Sequence, residues 1–397
     1  MEITSILFKA KAIYVGIIFA ITLGVAAYST YFERIIAAFM QDRVGPDRAG
    51  PFGILQPLAD AVKMFMKEDF IPAQSNKWLF IAGPCISMLT ALMTSAVVPF
   101  GDKLDLGDGI ILDLQGIDVN VGILWVFGIV SLGVYGVLIG GWASNNKYSL
   151  IGAIRAASQN ISYELAMGLS IIAILMLSGS LSTKSIVETQ QNGHWNIFYQ
   201  PLGFIIFIIC AFAECNRTPF DLPECETELI GGYHTEYSSM KLGFYLFAEY
   251  INMFISGAVM ATLYFGGYDY PGHDFVASFA SEKFGATVGA NIATLVGVGA
   301  LIGKALLFVF VFMWVRWTLP RFRYDQLMGL GWTGLIPLSM FNVVLTGASM
   351  LFTVNEGGSN WWTAAASWAG VFIMLIVTFA FSEMKYKKKK SAKLATA

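Results

Sequence analysis

The chain is 397 residues long, 56% hydrophobic and only 13% charged, with a formal net charge of −2 and mean hydropathy +0.62. That composition excludes an ordinary soluble domain and gives no sign of nucleic-acid binding; it implies a polytopic helical membrane protein. Cys85, Cys210, Cys215 and Cys225 form no CxxC and sit in or beside apolar runs, so they read as reduced thiols rather than an iron–sulfur, zinc or disulfide framework.

The first apolar run, 12–32, follows Lys9 and Lys11 and is long enough to span, which makes it an uncleaved first helix rather than a leader. Beyond Glu33-Arg34 comes a stretch that places Leu55, Leu58, Val62, Phe65 and Met66 on one helical face, with Asp60, Lys63 and Lys67 toward the other. This predicts an amphipathic helix at about 54–67 lying in the membrane interface. Further apolar runs fall at 78–98, 121–142, 160–178, 201–214, 243–266, 291–315, 335–354 and 363–383. The expected fold is therefore all-α, with about nine transmembrane helices and one cytoplasmic-side interfacial helix.

With the N-terminus outside, nineteen of the 25 Lys and Arg residues fall on the cytoplasmic side and five on the other. The positive-inside bias fixes that orientation and leaves the C-terminus cytoplasmic. The Lys-rich tail from Lys385 reads as a stop-transfer and anionic-lipid contact.

Charge is densest in the loop 214–242. Glu214, Asp221, Glu224, Glu226, Glu228, Glu236 and, one helix on, Glu249 gather round a single arginine, Arg217. So much unbalanced negative charge between apolar runs is costly unless it serves protons, cations or a basic partner. If the loop is helical there, Glu224 and Glu228 share a face with Glu226 between them, and like charges so close make it easier for one to hold a proton.

Ionisable residues inside spans carry the strongest functional signal, because each is costly unless paired or hydrated. Glu164, Glu249 and Lys304 are such residues, with Lys304 nearest mid-membrane. Together with Glu214 they suggest a string of titratable groups leading inward from the cytoplasmic face; the alternative for each is a structural pair, such as Lys304 with Glu249. Arg155, Gln159, Ser162 and Tyr163 near Glu164, and Tyr245 and Asn252 near Glu249, read as a hydrated lining. Gly329-Leu-Gly331-Trp-Thr-Gly334 matches a dinucleotide fingerprint, but no strand precedes it, so that reading is rejected.

Several motifs resemble the quinone-site membrane subunit (H type) of respiratory complex I, the proton-pumping NADH:quinone oxidoreductase. They are Glu33-Arg34, Arg43-Val-Gly-Pro-Asp-Arg-Ala-Gly-Pro51 with Gln56-Pro-Leu-Ala-Asp60, Arg155 to Glu164, Arg217-Thr-Pro-Phe-Asp-Leu-Pro-Glu224 with Gly232-Tyr-His-Thr-Glu-Tyr237, and Leu319 to Met328. The resemblance implies an eight-helix core over 1–355, with 356–397 an additional helix and tail. It implies that Glu33, Arg34, Asp60 and Phe220 line or border a quinone chamber. Glu214, Glu224, Glu226 and Glu228 would form the coupling loop, and Glu164, Glu249 and Lys304 the proton route. Arg217 and Asp221 would hold the loop, and Arg43, Arg48, Arg316, Arg321 and Arg323 would meet the peripheral arm. Quinone is then the substrate, with no metal, flavin or iron–sulfur cluster bound by this chain. The implied partners are iron–sulfur-bearing peripheral subunits, antiporter-like and small membrane subunits, and the lipid of a bacterial inner membrane. Two other readings use the same buried carboxylates: a related complex fed by ferredoxin, formate or hydrogen, and a stand-alone secondary transporter, the latter disfavoured by the lack of an inverted repeat.

Overall fold

The computed structural model describes residues 2–105, 111–191, 193–221, 231–355 and 361–374. The helices are α1 (Glu2–Met40), α2 (Gln56–Met66), α3 (Lys77–Ser95), α4 (Gly122–Ala143), α5 (Lys147–Ser178), α6 (Thr183–Gln191), α7 (Asn196–Tyr199), α8 (Pro201–Glu214), α9 (Ser239–Tyr264), α10 (His273–Phe284), α11 (Ala286–Thr318), α12 (Tyr324–Gly329) and α13 (Ile336–Asn355). A helical segment at 361–374, here α14, follows.

Seven described helices are long and apolar enough to cross a membrane. The other two expected spans correspond to α8, which has 14 residues, and to α14. The helices outrun the apolar stretches that signalled them. Helix α5 starts at Lys147, where the Asn146 side chain accepts a hydrogen bond from Tyr148 N and so caps the first turn. Arg155 and Gln159 therefore lie inside a helix, not ahead of one. The amphipathic helix is α2, whose Leu58, Val62, Phe65 and Met66 are all exposed. The Gly329–Gly334 stretch is helical, passing from α12 into a π-helical turn at Leu330–Leu335.

The bundle is organised round α9. This helix is the most deeply buried of the described spanning helices, and it packs on α1, α3, α8 and α11. Helix α2 lies across the start of α9, where Ser239 Oγ donates to Met64 O at 2.9 Å. This is the end at which the candidate site forms.

At the opposite end of α9 the chain builds a small layer between the apolar runs 78–98 and 121–142. Strands β1 (Pro99–Asp105) and β2 (Ile111–Gln115) pair antiparallel, with Lys103 opposite Asp113. Lys184 of α6 reaches over to Asp113 at 2.9 Å and lies 3.9 Å from Asp102. Burial alone would raise the Asp113 carboxyl, but the hydrogen bond and charge of Lys184 outweigh it and hold the group below its ordinary 3.8. Burial would lower the Lys184 ammonium, yet Asp113, Asp102 and Glu188 keep it above its ordinary 10.5. A carboxyl held low stabilises above its ordinary value and is lost as pH falls past it; an ammonium held high stabilises until pH climbs through its raised value. Amide protection of the hairpin is thus expected to be flat between about pH 5 and 9. The Asp113 side chain is 34% exposed, so Lys184→Met should lower that protection by only on the order of 1 kcal/mol or less, read by hydrogen exchange.

Candidate functional site

A cavity of about 410 Å³ opens between α1, α2, α9 and α11. Its polar wall holds Glu33 and Arg34 from α1, Asp60 and Lys63 from α2, Tyr250 from α9 and Arg316 from α11, with Arg43 at the edge. Four cations thus face two carboxylates, and Ala27, Ala37, Met64, Leu246, Phe247 and Trp317 supply an apolar remainder. The arrangement suits an amphipathic molecule with an electron-rich head.

The charges are fixed in two groups. Arg34 NH1 lies 2.7 Å from Asp60 Oδ2, and Lys63 Nζ lies 3.1 Å from Asp60 Oδ1. Glu33 is deeper: Arg316 NH1 meets its Oε1 at 2.6 Å, while Arg217 NH1 lies 3.4 Å from Oε2. The Tyr250 hydroxyl donates to Oε2 at 2.8 Å, and the Arg217 guanidinium stacks 4.3 Å from the Tyr250 ring centroid. With side-chain exposures of 7% for Glu33 and 4% for Arg217, this is a buried ionic node, held by mutual pairing and hydrogen bonds against the cost of desolvation.

Tyr250 was not foreseen. It follows Glu249 directly, and consecutive helical residues point about 100° apart. Glu249 consequently faces a second, water-sized cavity of about 50 Å³ on the other side of α9, lined also by Ser87, Asn160, Glu214, Asn216, Tyr233, Tyr245 and Asn252. The Tyr233 hydroxyl donates to Glu249 Oε1 at 3.3 Å. Glu214 lines this cavity and an adjoining one of about 30 Å³, within electrostatic reach of Glu164. Glu164 in turn accepts a short hydrogen bond from Ser131 Oγ. Glu214 and Glu249 are therefore brought together on one small void, with Glu164 within electrostatic reach of Glu214.

Other expected roles are redrawn by the geometry. Phe220 does not line the large cavity; its ring is packed 5.2 Å from Tyr163 and 5.5 Å from Phe322. Lys304 is parted from the carboxylates, because its ammonium is bound by carbonyls just past the end of α9, about 24 Å along the helix from Glu249 at 1.5 Å per residue. Arg316 turns inward onto Glu33, and Arg217 and Asp221 are buried, Asp221 meeting Arg321 at 3.4 Å. Arg48 and Arg323 remain exposed. Gln159 donates to the carbonyls of Ala213 and Phe220 at 2.8 and 2.9 Å, and Tyr163 to Leu327 O at 2.9 Å. These two tie α5 to the end of α8 and to α12 instead of lining a route. Glu224, Glu226 and Glu228 lie outside the described residues.

The description "NADH dehydrogenase" belongs to the family that matches residues 13–347. The chain is 60% identical over 351 residues to an H subunit of the NADH-quinone oxidoreductase of Cytophaga hutchinsonii, covering 88% of this chain and 99% of that one. It is 60% identical over 342 residues to the corresponding H subunit of Flavobacterium johnsoniae, covering 86% and 95%. Over 324 residues it is 45% identical to NADH-quinone oxidoreductase subunit 8 of Rhodothermus marinus, covering 81% and 91%. The chain belongs to the H-subunit family of NADH-quinone oxidoreductase. As an H-type protein it is a multi-pass membrane subunit of complex I, the family that its motifs resemble. Helix α14 and the last turns of α13 lie beyond residue 347, where the NADH dehydrogenase family match ends.

Proposed function

We propose that the large cavity is where this subunit receives the quinone headgroup and that the carboxylates across α9 couple its reduction to proton translocation. The observation that carries the reading is the cavity itself: cations and carboxylates on its inner wall, apolar side chains elsewhere, and the exposed apolar face of α2 beside it. Arg34, Lys63 and Arg316 are hydrogen-bond donors suited to quinone carbonyls, and they favour the negative charge that builds on two-electron reduction. Electrons come from iron–sulfur-bearing subunits of the peripheral arm, which meets the exposed Arg48, Arg321 and Arg323. The negative charge formed at the headgroup acts on Glu33 and Arg217, whose sequence continues into Glu224, Glu226 and Glu228. Protons then redistribute over Glu249, Glu214 and Glu164 toward antiporter-like and small membrane subunits. The complex sits in a bacterial inner membrane with the cavity end of α9 cytoplasmic, as the positive-charge bias indicates.

The test uses complex purified from membranes through a tag on this chain. NADH should reduce a short-chain quinone, and Arg34→Ala should raise the quinone KM about tenfold while electron transfer from NADH to a water-soluble acceptor is unchanged. An unaltered KM in that variant would remove the headgroup from this wall.

A further inference from the structure

Beyond the cavity, the far end of α9 holds a second built site. Past Tyr264 the chain turns through Gly266 (φ +72°) and Gly267 (φ +57°), a left-handed path that only glycine follows freely. Neither position has room for a side chain: a Cβ on Gly266 would lie 2.7 Å from Trp195 Nε1, and one on Gly267 2.7 Å from Val187 Cγ2. The loop is also tied from outside. Gly266 N donates to Gln190 Oε1 at 3.0 Å, and Trp195 Nε1 donates to Asp269 Oδ2 at 3.0 Å.

This path turns three carbonyls onto one point, and Lys304 of α11 fills it. Its Nζ donates to Phe265 O at 2.6 Å, to Gly267 O at 2.9 Å and, in a shorter contact, to Asp269 O. The Trp195 ring covers it at 4.6 Å from the centroid. An ammonium has three N–H donors, so all three are used, with an aromatic face over the group and the negative end of the α9 dipole beneath it. Backbone carbonyls accept hydrogen bonds but do not carry protons onward.

We infer that the 265–269 turn is a binding site for a primary ammonium, occupied by the tethered ammonium of Lys304, which fixes α11 to the end of α9 and takes no part in proton relay. The inference does not depend on where quinone binds.

Lys304→Ala removes a chain equivalent to n-propylammonium, and that ion is the probe. In the purified complex, heat inactivation of NADH:quinone activity should be about tenfold faster for Lys304→Ala than for the parent protein. Millimolar n-propylammonium chloride should slow it again, whereas tetramethylammonium chloride, which has no N–H, should not. Equal effects of the two salts would overturn the site. So would a Lys304→Ala complex with parental heat resistance but fewer protons moved per electron, since that is the behaviour of a relay residue. Should the variant not assemble, the parent complex carries the test through reductive methylation of membrane fragments read by peptide mass spectrometry. Lys304 should then be modified at least about tenfold more slowly than exposed Lys283; equal rates would show that no such cage holds the amine.

Discussion

Glu33→Ala is expected to lower NADH:quinone activity about a hundredfold or more, the largest effect of any single substitution in the cavity wall. The carboxylate takes Arg316 at 2.6 Å, Arg217 at 3.4 Å and the Tyr250 hydroxyl at 2.8 Å. Removing one member of a buried ion pair leaves charge without its counter-charge and costs about 3–5 kcal/mol. Glu33→Gln keeps the side chain's shape and one acceptor oxygen while dropping the charge and turning the other oxygen into a donor, so it should fall between Ala and the parent. Quinone reduction normalised to the amount of assembled complex on a native gel separates a damaged site from lost assembly. Activity of Glu33→Ala within twofold of the parent would sink the claim that the node holds the wall in place.

The second large effect concerns protons. Glu249→Gln retains an oxygen able to accept from Tyr233, so the packing of α9 against the water-sized cavity survives while the titrating group is gone. If Glu249 hands on protons, translocation measured by dye quenching in vesicles drops about tenfold or more, since a positioned acid or base contributes that much at least. Glu214→Gln should behave alike, because the same cavity contains it. Glu236→Gln serves as the contrast: Glu236 is bonded to Asn146 Nδ2 at 2.7 Å and lines neither polar void, so translocation should stay within about a factor of two. Parent-like pumping in both Glu249→Gln and Glu214→Gln would end the relay.

The membrane architecture was largely legible, because long apolar runs have few alternatives. Helix ends were not: a helix continues wherever backbone bonding and capping allow, so Asn146 rather than hydropathy begins α5. The hairpin carried a signal that went unread, namely alternating Leu104, Leu112 and Leu114 with Asp and Lys between, the pattern of a half-buried strand. For the site, counting charges found Glu164, Glu214 and Glu249 because ions in apolar surroundings stand out, whereas Glu33, Arg34 and Asp60 were marked only by the resemblance of their motifs. It could not say which faced which. The resemblance grouped Arg316 with Arg321 and Arg323, and only the structure shows that α11 aims it at Glu33. Tyr250 was passed over because a tyrosine in a membrane helix is ordinary, and only its hydroxyl on Glu33 marks it out. Lys304 stood out because it is far from both ends of its run; its partners are set by α9 stopping at Tyr264 beside it.

Helix α9 separates the two compartments and turns two consecutive residues to opposite ones, Tyr250 toward the large cavity and Glu249 toward the small one. Because these neighbours share a rigid backbone, they are geared like two teeth on one shaft. A roll of about 20° would carry both side-chain tips through about 2 Å, given a Cα radius of about 2.3 Å and side chains reaching roughly 4 Å further. Pulling Tyr250 off Glu33 would then shift Glu249 against Tyr233 in the same stroke, with no chain of intervening contacts needed to transmit it.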